Sequence, residues 1–256
     1  ATRFLLDEKN VNAEDAEEIV WAHIYRLHFF DRLAATRPAL AKRARAKSAE
    51  IAGVLEKLPR RRGAWAHEYP NAFVTASVIQ ALDLARRSGA AKVKEVGIRK
   101  GAEAIAASRT KDGFIGYSLG TRGATAEFSA GRMPICELAL FIAEGPEKRS
   151  ASLTKAIDVS FEKHDLLERV RQYDNHADRV GNGGFFFWYD MHTRAIAMEM
   201  SDAPAEKKAA WRAALLKIVT GIHEADGGWI DSHELGKSYG TAMGLEVLGR
   251  VVTDEN

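Results

Sequence analysis

Hydrophobic positions along this chain follow two patterns, and the two alternate. In the first, apolar residues recur at helical spacing among charged ones. Trp211, Leu215, Ile218 and Ile222 share their stretch with Lys207, Lys208, Arg212 and Lys217. Leu153, Ile157 and Phe161 keep the same spacing, as do Ile51, Val54, Leu55 and Leu58. Such a stripe predicts an amphipathic helix with one solvent face. In the second pattern nearly every position is apolar. Ala72 to Ala85, with Phe73, Val74, Val78, Ile79 and Leu82, is of this kind; so are Met133 to Ala143, Ala195 to Met198 and Thr241 to Leu248. A helix that is apolar on all sides is buried on all sides. The pattern predicts helices at about 14–34, 40–58, 71–87, 93–108, 129–144, 150–163, 188–200, 205–223 and 238–251. From the third onward they read buried, amphipathic, buried, amphipathic, through to a buried ninth. No period-two alternation is sustained, so no strand is predicted, and the fold class is all-α. His164 to Gly183 reads as a polar insertion loop.

A repeated turn punctuates the helices. Gly63-Ala64-Trp65, Asp112-Gly113-Phe114, Gly183-Gly184-Phe185 and Asp226-Gly227-Gly228-Trp229 each lead into a stretch rich in small apolar residues. Glycine supplies a positive φ at a tight turn, and the aromatic that follows packs between neighbouring helices. Trp65, Phe114, Phe185 and Trp229 are therefore expected to be structural staples of the core. A turn-then-helix unit cannot bury its apolar face alone, so such units stack on one another. Alternating buried and amphipathic helices suit an inner ring wrapped by an outer ring.

Composition narrows the picture only a little. The chain has 256 residues and no Ser/Gly/Pro-rich linker, which favours one domain over 1–256. Net charge is +2, from 37 basic and 35 acidic residues, which argues against nucleic acid as a general partner, since phosphate binding needs a concentrated basic surface. The one basic run, Arg60-Arg61-Arg62, reads as a solvated loop. No apolar run approaches the ~20 residues of a membrane span. The opening Ala-Thr-Arg-Phe-Leu-Leu-Asp-Glu lacks the pattern of a secretory leader. Cys136 is the only cysteine, so no internal disulfide forms and the compartment is left open.

Asp226-Gly227-Gly228-Trp229 followed by Ser238-Tyr239-Gly240-Thr241-Ala242-Met243 resembles the repeat of terpenoid cyclases (squalene and hopene cyclases) and of protein prenyltransferase β subunits. Gly184-Phe185-Phe186-Phe187-Trp188-Tyr189, leading into Thr193-Arg194-Ala195-Ile196-Ala197-Met198, extends the likeness. It is strongest over 184–250. The resemblance implies an α/α toroid whose cavity lies at the N-terminal ends of the inner helices; with about five of these, the ring need not close. It carries over no catalytic residue. The Asp-X-Asp-Asp of squalene-type cyclases is absent, and Cys136 follows Pro134-Ile135 where prenyltransferases have an aspartate two positions earlier. The Cys-Gly-Glu-Gln of thioester domains is replaced by Cys136-Glu137-Leu138.

Polar residues at the starts of the apolar helices are the candidate chemistry, since a ligand site needs a few polar groups in an apolar setting. His67 and Glu68 head the first set; Glu127, Arg132 and Cys136 the second; Asp190, His192 and Arg194 the third; Asp231, His233, Lys237 and Tyr239 the fourth. Asp190 and His192 are the most pointed pair. They are open to a capping role, to acid–base work, or to zinc ligation with Cys136 and His67 or His233, although no tight zinc spacing is present. The expected function is a binding module for an apolar ligand or a protein partner, with no cofactor. An enzyme acting on an isoprenoid-like substrate through Asp190, His192, Glu127 and Arg132 is the alternative. A glycan-active (α/α) barrel using two of Glu68, Glu127, Asp190 and Asp231 comes third.

Overall fold

In the computed structural model, residues 2–11, 14, 18–58, 60–116, 119, 124–125, 129–171, 186–231 and 235–252 are described. Eleven α-helices account for most of them. They are α1 (Thr2–Leu6), α2 (Ile19–Thr36), α3 (Pro38–Lys57), α4 (Ala72–Arg87), α5 (Glu95–Ala107), α6 (Met133–Glu144), α7 (Pro146–Glu162), α8 (His164–Val170), α9 (Phe187–Met200), α10 (Ala205–Gly221) and α11 (Gly236–Val251). The fold is all-α, and all nine sequence-predicted helices are present. Among the described residues no helix is long and apolar enough to cross a membrane.

The chain forms two compact units. One comprises Ala1–Arg109 with Tyr117–Thr121; the other comprises Thr110–Gly116 with Arg122–Asn256. Each is organised around one helix buried on every side. In the first unit this is α4, which packs against α2, α3 and α5. Thirteen of its sixteen residues are buried, and Asn71 caps it by accepting the Val74 N–H at 2.9 Å. In the second unit it is α9, which packs against α6, α7, α8, α10 and α11. Every residue of α9 from Phe187 to Met198 is buried. The amphipathic helices bury one narrow stripe each, although Ile218, Ile222 and Phe161 of the predicted stripes are only half-buried. α10 buries only Trp211, Leu215 and Val219, and α7 only Leu153, Ala156, Ile157 and Ser160.

Four expectations need correction. The ninth helix, α11, is one-sided. Gly240, Met243, Gly244, Val247 and Val251 are buried at helical spacing, while Leu245 is 58% exposed. Its residues are small and apolar, so composition alone does not distinguish its packed face from its open one. The polar segment from His164 begins with a helix, α8. The sixth predicted helix, α7, starts at Pro146 and not near 150, directly after Gly145 at φ +87°, because proline is preset for the first helical turn. Finally, three short strands occur: β1 (Arg60–Arg61), β2 (Ala64–His67) and β3 (Tyr69–Pro70). They pair antiparallel, Arg60 opposite Trp65 and His67 opposite Tyr69. At two to four residues each they are too short to print an alternation.

The repeated turn is a clamp, and its register differs from the sequence reading at one copy. In the first unit, the indole Nε1–H of Trp65 donates to the Leu55 carbonyl at 2.8 Å, and its backbone N–H donates to Thr75 Oγ1 at 3.1 Å. In the second unit, Trp229 Nε1–H donates to the Val219 carbonyl at 2.8 Å and its N–H to Thr241 Oγ1 at 3.1 Å. Each indole thus ties the end of the preceding helix, and a threonine of the following helix holds its backbone. Gly113 at φ +88° and Gly227 at φ +81° sit in matching turns. Thr110 N–H bonds the Phe114 carbonyl and Gly113 N–H the Thr110 carbonyl, as Glu224 does with Gly228 and Gly227 with Glu224. That register puts Ile115, not Phe114, in the tryptophan slot. Ile115 is buried and its carbonyl accepts from Ser129 Oγ at 2.8 Å, whereas Phe114 is half-buried. Trp65 and Trp229 are core staples as expected; Gly183, Gly184 and Phe185 lie outside the described residues.

Candidate functional site

The second unit holds an acid and two bases where its core is most enclosed. Asp190 and Arg194 stand four residues apart on α9, a spacing that puts both side chains on one helix face. Both are fully buried. The turn before α6 meets Asp190. Gly131 lies so close that a Cβ there would fall 1.8 Å from Asp190 Oδ2 and 3.0 Å from Leu167 of α8. Only a residue without a side chain admits the carboxylate. Next to Gly131, Arg132 brings Nη1 to 3.9 Å from Asp190 Oδ2, an ion pair beyond hydrogen-bond length. The two guanidinium groups lie on aromatic faces, Arg132 4.7 Å above Phe186 and Arg194 4.7 Å above Phe161.

What marks the cluster is its hydrogen bonding. Among the described residues neither carboxylate oxygen of Asp190 has a hydrogen-bond partner, nor has Nε, Nη1 or Nη2 of Arg194, nor Nδ1 of His164 at the start of α8. Leaving a buried polar group unmade costs about 1–3 kcal/mol, and more for a charged one. Burial, only partly opposed by the charges of Arg132 and Arg194, pushes the Asp190 carboxyl up to about 7. Burial likewise lowers Arg194 to about 10, against the pull of Asp190. Burial and then the Arg194 charge bring His164 down to about 4. At neutral pH the carboxyl is therefore poised between its two forms, the imidazole is neutral and the arginines carry charge.

The candidate residues read from the sequence fall in several places. Asp190 and Arg132 come together. The Asp190 carboxylate accepts no hydrogen bond from a described residue, and Phe186 holds the N-cap position, so the capping role open to Asp190 is not filled. His192 is buried on α9, but two residues along a helix is about 200° of rotation, which turns it away from the Asp190 face. Cys136 is buried within α6. Asp231 is fully buried in the turn after Trp229, Tyr239 is half-buried on α11, and Lys237 pairs with Asp226 at the surface. His67 and Glu68 belong to the first unit. His67 Nδ1 lies 2.7 Å from Glu18, and Glu68 is exposed at φ +57° between β2 and β3. Glu127 and His233 lie outside the described residues. No group of three His, Cys, Asp or Glu side chains among the described residues is placed to hold a metal ion.

A pocket of about 140 Å3 in the first unit is lined in part by Glu56, Arg60, Trp65 and Lys94. Glu56 Oε1 accepts the Lys94 N–H at 2.7 Å, and Arg60 lies 4.9 Å over the Trp65 ring. The basic run read as a solvated loop thus supplies one arginine to an aromatic face.

Sequence reasoning undervalued Arg194 and missed His164, Gly131 and the aromatic platforms. An Asp/Arg pair at i, i+4 inside a helix with no polar face was the available signal. Compared with known proteins, the chain matches no family model, no curated protein and no solved structure.

Proposed function

We propose that the protein is a helical-repeat binding module, of the kind the cyclase and prenyltransferase repeat suggests, whose small-molecule ligand is seated in the second unit at Asp190, Arg132 and Arg194. One observation carries this reading: six buried nitrogen and oxygen atoms of Asp190, Arg194 and His164 have no hydrogen-bond partner among the described residues. Charged groups withdrawn from water are retained when something pairs with them. The surrounding Phe161, Leu167, Phe186 and Phe187 suit an apolar body attached to the ligand's polar group.

The enzyme reading keeps one specific support, because a carboxyl pushed up to about 7 can both give and take a proton at neutral pH. Native beside denaturing mass spectrometry of the purified protein tests the proposal. A bound molecule in the wild type that is lost in Arg194→Met is the expected result. Identical bound mass in both proteins, or bare wild type that also stays bare in a metabolite extract, overturns it. Turnover of the captured molecule that stops in Asp190→Asn would move the protein to the enzyme reading.

A further inference from the structure

We infer that the pocket of the first unit is a ligand site of its own, seating the phosphate group of a small soluble compound between Lys57, Arg60 and Lys94. The end of α3, the β1–β2 hairpin and the residues that open α5 form its walls. Arg60 belongs to the basic run that reads as a solvated loop in the sequence. The first ground is charge. Three cationic side chains line the pocket, and Glu56 is the one acid among its described lining residues. Among the described residues no acid pairs with the side chain of Lys57, Arg60 or Lys94. Glu56 turns Oε1 to the Lys94 backbone N–H at 2.7 Å. The lining therefore carries a surplus of about two positive charges, which a dianion neutralises and a single carboxylate does not. The surroundings add to it. Residues 56–62 and 92–100 hold eight Lys and Arg against two Glu, in a chain whose net charge is only +2. The fold presses these two stretches together: a Cβ on Gly97 would fall 3.1 Å from Arg60 Nη1, and one on Gly63 2.6 Å from the Lys100 carbonyl oxygen. Like charges gathered in this way repel one another, and a bound anion relieves the repulsion.

The second ground is geometry. Arg60 lies 4.9 Å over the Trp65 ring, and Trp65 is fully buried and tied to the Leu55 carbonyl. The guanidinium is thereby held at the pocket by a fixed ring, and no acid occupies its fork. A planar fork so placed makes two parallel bonds to a phosphate, which the more mobile ammonium groups of Lys57 and Lys94 then flank. The volume of about 140 Å3 is well above the ~15 Å3 that one water requires, so a tetrahedral oxyanion has room. Glu56 is the tuning group, since its carboxylate opposes the incoming anion.

Calorimetric titration of the full chain with inorganic phosphate, acetate and methylammonium at low ionic strength tests this. Phosphate is expected to bind at least tenfold more tightly than acetate, and methylammonium not at all. Arg60→Gln should weaken phosphate binding at least tenfold, and Arg60→Lys, which keeps the charge and loses the fork, about threefold. Lys57→Gln combined with Lys94→Gln should also weaken it at least tenfold; both side chains are exposed, so this variant serves if those of Arg60 do not fold. Glu56→Gln should tighten it about threefold. Lys148→Gln, which removes an exposed charge from the second unit, should leave it unchanged. No phosphate binding, acetate as tight as phosphate, or an equal loss in Lys148→Gln would overturn the assignment. So would Arg60-dependent capture by phosphatidic-acid vesicles or by double-stranded DNA without binding of free phosphate. None of these outcomes bears on the second unit, whose test is the mass spectrum of Arg194→Met.

Discussion

The helices α4 and α9 are both enclosed on every side, and both bury an aspartate, yet the two acids live differently. Asp83 of α4 is 2% exposed and bonds Arg86 at 2.6 Å, with Arg87 at 3.0 Å. Those arginines follow it by three and four residues and keep roughly half of each side chain in solvent, so the charges are paired at the edge of the core. Asp190 of α9 has its arginines too, at i+4 and across from α6, but neither reaches hydrogen-bond distance. The first arrangement completes itself, and its polar atoms are part of the fold. In the second, Asp190 and Arg194 make no side-chain hydrogen bond among the described residues, and such buried charges carry a cost that packing alone does not repay. The lesson is that burial of a charge says little about function until its hydrogen bonds are counted.

The largest expected effect tests what the two units share. Trp65→Ala and Trp229→Ala each remove a buried indole and strand the carbonyl it satisfied, so each should cost about 3–5 kcal/mol in urea unfolding of the full chain. A Trp229 variant within 1 kcal/mol or so of wild type would show that the clamps are not equivalent.

Next comes the pH dependence, which separates the two buried acids. The carboxyl of Asp190 is raised from 3.8 to about 7 in the folded chain. Its contribution is therefore full below pH 4 and lost as pH rises to 7, up to about 4 kcal/mol. His164 is lowered from 6.5 to about 4, so its contribution is present above pH 6.5 and lost as pH falls to 4. The two slopes oppose each other between pH 4 and 6.5. Ligand-free wild type should be nearly flat there, Asp190→Asn should gain stability as pH rises, and His164→Gln should lose it. Chemical denaturation at half-unit pH steps reads all three; parallel curves would remove Asp190 from the list of uncompensated groups.

The smallest effect concerns Asp83. Its partners are half in solvent, and such pairs contribute about 0–1 kcal/mol, so Asp83→Asn should cost no more than that in chemical denaturation. A loss of several kcal/mol would make α4 as dependent on buried charge as α9 and erase the contrast.

Much of this is legible in the sequence. Helix positions follow from stripes and from residues such as Pro38, Gly145 and Pro146, because propensity and periodicity act locally. The indole positions followed from glycine turns. Where glycine was followed by two candidate side chains, Phe114 and Ile115, only the turn's hydrogen bonds chose between them. α11 defeated the reading for a related reason. Its glycines and alanines suit either a buried or a half-buried helix, and only the packing of Gly240, Met243 and Gly244 decides.

The site divides the same way. Asp190 and Arg132 could be named from the sequence because a charge inside an apolar stretch stands out against its neighbours. Local pattern is therefore enough for an all-α chain and for the charges that stand inside its apolar helices. Tertiary structure decided which charges are satisfied. Arg86 reaches Asp83 along a single helix turn, whereas the surroundings of Asp190 come from Gly131, Arg132, Phe161 and His164, which α6, α7 and α8 bring in from 26 to 59 residues away in the chain. Hydrogen-bond satisfaction is a matter of tenths of an ångström between such distant segments, and no local pattern encodes it.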